Sequence, residues 1–292
     1  MQRILFLVLN ALILLQSSAA QAAVTSASDK PATDETKSGS LSPSKVIIQP
    51  HRAIYEMTLA SVKNGSNVSS VTGKMLFEWS DVCDGWAVQQ HLNLHFNYSD
   101  ATESNITSTE LTWEAKDGKS YNFNIHRVTD GKDPEDYRGK AVMADNGGTA
   151  TYSVPDNKVM KLPAGTLFPS AHTKLILEKA QGNERFFSRR VFDGTDEDGS
   201  NDVSVFIDPP QAHWLEAELN PELKTNPLLL NETSWPVRMA FFKIDTETGE
   251  PDYEMDLTLL TNGIARMMRI DYGDFSVVGT LSSVEALPSP HC

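Results

Sequence analysis

His91-Leu92-Asn93-Leu94-His95-Phe96-Asn97-Tyr98 alternates without a break, apolar side chains at even positions and polar ones at odd positions. An extended chain points successive side chains to opposite faces, so this stretch reads as a half-buried β-strand. The same period runs outward in both directions. Tyr55, Met57 and Leu59 carry it first, then Met75, Phe77 and Trp79. Beyond the quoted stretch come Tyr121, Phe123 and Ile125, then Val203 and Val205, then Tyr253, Met255, Leu257 and Leu259, and last Phe275, Val277 and Leu281. Asp117-Gly118, Asp130-Gly131, Asn146-Gly147-Gly148, Asn262-Gly263 and Tyr272-Gly273-Asp274 supply tight turns between them. Many strands joined by short turns make an antiparallel meander. The expected fold is mainly β, a long curved antiparallel sheet (a β-spiral or half-barrel) with one principal α-helix.

That helix follows Pro169, with Ser170 as the expected N-cap, Leu175, Ile176 and Ala180 near one stripe, and Gly182 as its end. A lone helix among strands plugs one side of a curved sheet. Residues 208–236 hold Pro209, Pro210, Pro221, Pro227 and Pro236 beside Trp214, Leu215 and Leu228 to Leu230. Prolines at that density do not fit a central strand, so the segment reads as an excursion with a short helix near Trp214 to Leu219.

Arg3 precedes an apolar run from Ile4 to Leu15, and Ala20-Gln21-Ala22 supplies the small residues a signal peptidase needs. The run is shorter than the ~20 residues a spanning helix requires. Residues 1–22 therefore read as a cleavable signal peptide; the alternative is an uncleaved anchor, which fits less well because the small residues follow the run directly. Residues 23–45, rich in Ser, Thr, Asp and Lys, have little to bury and read as a flexible linker. Residues 46–292 are expected to form a single β-spiral domain, with no transmembrane segment in the mature chain and a periplasmic location.

The chain carries 39 acidic and 25 basic residues, a formal net charge of −14. A nucleic-acid partner is held by clustered Lys and Arg, and no such cluster occurs. Export gives the only two cysteines, Cys83 and Cys292, a natural reading as a disulfide, because oxidising compartments preserve such bonds. Two separate thiols or a redox-active pair are the alternatives, although neither residue lies in a Cys-x-x-Cys motif.

Candidate chemistry is sparse. His91 and His95 share a strand face but lie roughly 13 Å apart at that spacing, too far for one metal ion. Asp193, Asp196, Glu197, Asp198 and Asp202 match a calcium loop only loosely and read as a solvated hairpin tip. His172, near the helix start, lacks a visible nucleophile or orienting partner and reads as structural. No catalytic residue, metal site or cofactor is expected.

Several phrases occur together and in order: Pro50-His51-Arg52-Ala53-Ile54-Tyr55, Leu162-Pro163-Ala164-Gly165-Thr166-Leu167-Phe168-Pro169, Phe192-Asp193-Gly194, Trp235-Pro236-Val237, and Ile270-Asp271-Tyr272-Gly273-Asp274-Phe275 before a terminal Cys. In this combination the chain resembles the EipB-like family of alphaproteobacterial periplasmic cell-envelope integrity proteins, formerly a domain of unknown function. The resemblance implies a spiral sheet holding a helix, closed by a disulfide at the positions of Cys83 and Cys292. It also implies a role in envelope integrity under stress and a periplasmic protein partner of the tetratricopeptide-repeat type. His51, Arg52, His172, Trp235, Asp271 and Tyr272 are the family-motif candidates, with no role attached. The stretch from Asp208 to Ser234 departs from the family pattern by its length.

Three functions follow in order. The first is a non-enzymatic protein that maintains envelope integrity by binding a protein partner or an envelope component on the sheet or its edges. The second is a carrier of a lipid or lipoprotein acyl chain in the concave face, by analogy of fold with periplasmic lipoprotein carriers. The third is an enzyme acting on envelope polymer.

Overall fold

A computed structural model of the chain describes residues 46–132, 134–211, 221–230, 232–244 and 249–292. The expected signal peptide and linker lie outside these residues, as does the expected short helix near Trp214 to Leu219. The strands run β1 (His51–Val62), β2 (Val68–Asp81), β3 (Gly85–Tyr98), β4 (Glu103–Ala115), β5 (Ser120–Thr129), β6 (Glu135–Ala144), β7 (Gly147–Val154) and β8 (Val159–Leu162). Helix α1 (Pro169–Gln181) follows, then β9 (Phe186–Phe192), β10 (Ser200–Ile207), a single turn of helix α2 (Pro221–Lys224), β11 (Ser234–Lys243), β12 (Tyr253–Leu260), β13 (Ala265–Asp271) and β14 (Phe275–Ala286).

All fourteen strands join one antiparallel sheet in the order β8 through β1, then β14 back to β9. Strand β1 thus sits in the middle, paired to β2 on one side and to β14 on the other. A sheet this wide twists and curls, and bulges in the β1–β14 and β12–β13 ladders add bend. Its two edges, β8 and β9, come together through the segment between β8 and α1. Thr166 donates N–H and Oγ1–H to Pro163 O, Gly165 takes φ +79°, and Leu167 then exchanges backbone hydrogen bonds of 2.9 Å with Arg190 and Phe192 of β9. The result is a nearly closed barrel.

Three apolar clusters fill parts of the interior. One gathers Trp79, Trp86, Ile176, Leu177, Val203 and Trp235 around α1. A second joins Tyr55, Met75, Leu94, Phe96, Leu260 and Leu281 with Leu223 and Leu229. The third stacks Tyr121, Phe123, Tyr152, Phe168 and Phe192. Leu223 and Leu229 come from the Pro-rich excursion, so that segment covers one end of the sheet. Asn226 Nδ2–H to Val284 O and Asn262 Nδ2–H to Leu228 O, both 2.8 Å, fasten it there.

The terminal staple is present. Cys83 and Cys292 form a disulfide across 209 positions, with Cα atoms 5.8 Å apart. Cys83 occupies the β2–β3 turn at φ +69°, where its N–H donates to Asp81 Oδ1 at 2.9 Å.

Three local expectations need correction. Ser170 does not cap α1: the helix opens on Pro169, and the carboxylate of Glu114 accepts the N–H groups of Ser170 and Ala171 at 2.7 and 2.8 Å. A buried acid from a distant strand does the work a local hydroxyl was expected to do. Pro236 does lie in a central strand, opposite Thr258 of β12. It is tolerated because β10 ends beside it: Asp208 N–H reaches Pro236 O, while Asp208 O accepts Arg185 Nη1–H instead of the N–H that proline lacks. The acidic run is no simple solvated tip either, since Tyr121 Oη–H and Tyr152 Oη–H donate to Asp193 O and Asp196 O, each at 3.0 Å. Gly194, at φ +70°, lets this loop fold inward; a Cβ there would stand 2.7 Å from the Phe123 ring.

Candidate functional site

Along the middle of the concave face the inward side chains are only half-buried. Phe77 on β2, Val88 and Leu92 on β3, Met255 and Leu257 on β12 and Ile270 on β13 all keep accessible surface. Close packing would bury them as fully as the cluster residues around them. The strip along the cluster margins, packed against the clusters on one side, therefore stays partly accessible.

Its polar lining comes from β4 and β5 on one wall and from the β12 and β13 ends on the other. Strand β4 turns Ser108, Glu110, Thr112 and Glu114 inward and leaves Leu111 40% exposed outside. Glu110 is surrounded by protein yet partly accessible, and its one hydrogen bond among the described residues is a long 3.4 Å contact from Ser108 Oγ. Burial raises its pKa, with Arg127 and Ser108 pulling the other way. Arg127 sits opposite Ser108, diagonal to Glu110 on the same face, and donates from Nη1 to Glu135 Oε2 at 3.2 Å. Burial, then nearby Asp193, Tyr272 and Glu110, pushes the Tyr253 hydroxyl up. Burial pushes Tyr272 up to about 12, with Arg127 in opposition. Register sets Glu110 and Arg127 on one face of β4 and β5 and brings Tyr253 and Tyr272 to the same end of the β12–β13 ladder, and the two groups interact electrostatically across the interior.

Of the residues singled out from the sequence, Tyr272 and Asp193 of the acidic run reach this place. His51, 1% exposed, donates from Nδ1 to Gln49 O at 2.7 Å and packs its ring against Phe77. Arg52 bridges Glu78 of β2 and Glu285 of β14, and so clamps the middle of the sheet. Trp235 is a buried member of the cluster around α1, its Nε1–H without a partner among the described residues. Asp271 Oδ1 accepts Gly273 N–H at 2.9 Å and shapes the β13–β14 turn. His91 and His95 bond separately to Thr109 and Asn105, at 3.0 and 2.9 Å. Sequence reading missed Glu110, Arg127 and Tyr253 as a group. The one available signal was Tyr253 at the head of an alternating run.

His172 lies beside the cluster around α1, edge-on to Phe187, with Nε2 unpartnered among the described residues. Burial, and then Arg189, drives its pKa down to about 4. The folded state holds a neutral ring while the unfolded chain binds a proton below ~6.5, so this contribution is complete above pH 6.5 and lost as pH falls toward 4. Glu114, pushed up to about 7, and Asp193, pushed up to about 6, are acids that favour the folded state in the opposite direction as pH falls. Comparison with His172→Phe isolates the histidine. Denaturant titrations should show the variant gaining on the wild type by about 3 kcal/mol between pH 7 and pH 4; parallel profiles would contradict this.

Among the described residues no group of three or more His, Cys, Asp or Glu is placed to hold a metal ion, and no helix is long and apolar enough to cross a membrane. A family model described as EipB-like matches residues 43–288. The cell envelope integrity protein EipB of Brucella abortus (strain 2308) is 29% identical over 244 residues, covering 83% of this chain and 85% of that protein. A crystal structure from Brucella abortus, described as a beta-barrel-like protein of domain of unknown function DUF1849, matches with a TM-score of 0.76 and 28% identity. It covers 83% of this chain and 100% of that one.

Proposed function

We propose, because the chain belongs to the EipB-like family, that it is a non-enzymatic periplasmic protein that maintains cell-envelope integrity by holding an amphiphilic envelope component in its interior trough. The partly accessible apolar wall of Phe77, Val88, Leu92, Met255, Leu257 and Ile270 supports this reading. Apolar surface that lines a concavity is where an acyl chain gains most from leaving water. Residues 1–22 are the export signal in this reading, and residues 23–45 the tether. The third candidate function, an enzyme centred on His172 or the acidic run, has less behind it: the His172 ring faces Phe187, and Asp193 is tied to Thr195 N–H and Oγ1–H. A protein partner is a second reading, favoured by Phe186 and Phe206 on the outer face, 54% and 52% exposed with ring centroids 4.7 Å apart.

Native mass spectrometry of protein purified from the periplasm, without detergent, tests the first reading. A bound amphiphile near one per chain is expected. Leu92→Glu, which places a charge on the trough wall, should fold with unchanged far-UV circular dichroism, arrive empty, and fail to restore envelope resistance in a deletion strain. A wild-type protein that is empty, together with a Leu92→Glu variant that complements fully, would overturn it.

A further inference from the structure

An acyl chain held inside the barrel carries a head group with it, and the polar wall faces that head group. Glu110 and Arg127 stand on neighbouring strands, facing inward at diagonal positions. Each has bonding capacity to spare: Glu110 receives one long hydrogen bond, and Arg127 commits one terminal nitrogen to a half-exposed Glu135. A guanidinium has five donors and a carboxylate about four acceptor sites. The hydroxyls of Tyr253 and Tyr272, also inward, have no hydrogen-bond partner among the described residues. Beside them lies the apolar wall formed by Leu92, Met255 and Ile270.

Resting on the proposal that the trough holds an amphiphile, we infer that the Glu110–Arg127 pair selects a zwitterionic head group, taking its ammonium at Glu110 and its phosphate at Arg127. A purely anionic head could pair with Arg127 but would leave Glu110 and the enclosed Asp193 uncompensated beside it. A purely cationic one would meet Arg127. A head group carrying both charges satisfies both residues, while the Tyr253 and Tyr272 faces and hydroxyls suit an ammonium and phosphate oxygens respectively. On the outer face, by contrast, Arg52, Lys74, Arg190 and Arg238 are each already matched to an acid across the ladder.

Four single-chain probes of equal length, used below their micelle concentrations with delipidated full-length mature protein, separate the outcomes by calorimetry. Dodecylphosphocholine should bind about tenfold more tightly than dodecyl maltoside, dodecyltrimethylammonium or dodecanoate. Glu110→Gln should bring dodecylphosphocholine down to the maltoside level and favour dodecanoate; Arg127→Gln should do the same and favour the ammonium probe. Equal affinity for all four would overturn the head-group assignment and leave the trough standing. No binding of any probe would remove both. A zwitterion preference that survives both substitutions would place the selecting group elsewhere and likewise overturn the assignment.

Discussion

Cys292→Ser should lower the melting temperature by about 10 °C or more in non-reducing buffer, and adding reductant to the wild type should reproduce the drop. The last six residues belong to no strand, and the last backbone hydrogen bond seen along them is Leu287 N–H to Pro50 O at 2.9 Å. The tail from Pro288 onward is thus held to the body of the fold chiefly by sulfur. Because the bond spans 209 positions, the chain-entropy account gives roughly 5 kcal/mol from restricting the unfolded chain, an upper figure. Its anchor is firm on the other side: Lys116 Nζ–H reaches Asp81 Oδ1 at 2.7 Å, and Lys116 lies 5.1 Å from the Trp86 ring centroid. Cys83→Ser should match Cys292→Ser, since either removes the same bond. Melting temperatures indistinguishable from wild type in both variants would show that the staple contributes nothing to stability.

What could be read from the sequence follows directly from which face each strand buries. The alternation in β1, β2, β3, β5, β10, β12 and β14 is plain because their inward side chains are apolar. Strand β4 left no such mark, because its inward Ile106 is followed by inward Ser108, Glu110, Thr112 and Glu114, while Leu111 and Trp113 point outward. A pattern rule assigns that strand the wrong face. The inward polar group was hidden for the same reason: Glu110 becomes significant only when register sets Arg127 diagonal to it and the fold brings Tyr253 within its electrostatic reach. Ser170 and Pro236 failed as local signals because a distant partner, Glu114 in one case and Arg185 in the other, satisfied the backbone. The phrase from Leu162 to Pro169, carried by resemblance alone, proves to be the segment that brings the two edges of the sheet together.

That junction is where the largest single-residue effect is expected. Phe192, with no exposed surface, ends β9 and places its ring among Tyr121, Phe123, Tyr152 and Phe168, at centroid distances of 6.2, 5.6, 6.4 and 6.3 Å. Its N–H also donates to Leu167 O at 2.9 Å. One residue therefore joins the far end of the sheet to the near one through both backbone and ring. Phe192→Ala should cost about 3–5 kcal/mol in denaturant titration, because four surrounding rings cannot all close on the void. Amide exchange should rise first at Leu167, at the start of α1 and along β9, where the barrel is closed by few hydrogen bonds. Phe206→Ala, on an exposed ring of the adjacent strand, should cost less than about 1 kcal/mol and leave exchange at Leu167 unchanged. If the two substitutions cost the same, or if exchange rises evenly over the whole sheet, closure does not depend on this aromatic cluster and the trough must be held open by the ladders alone.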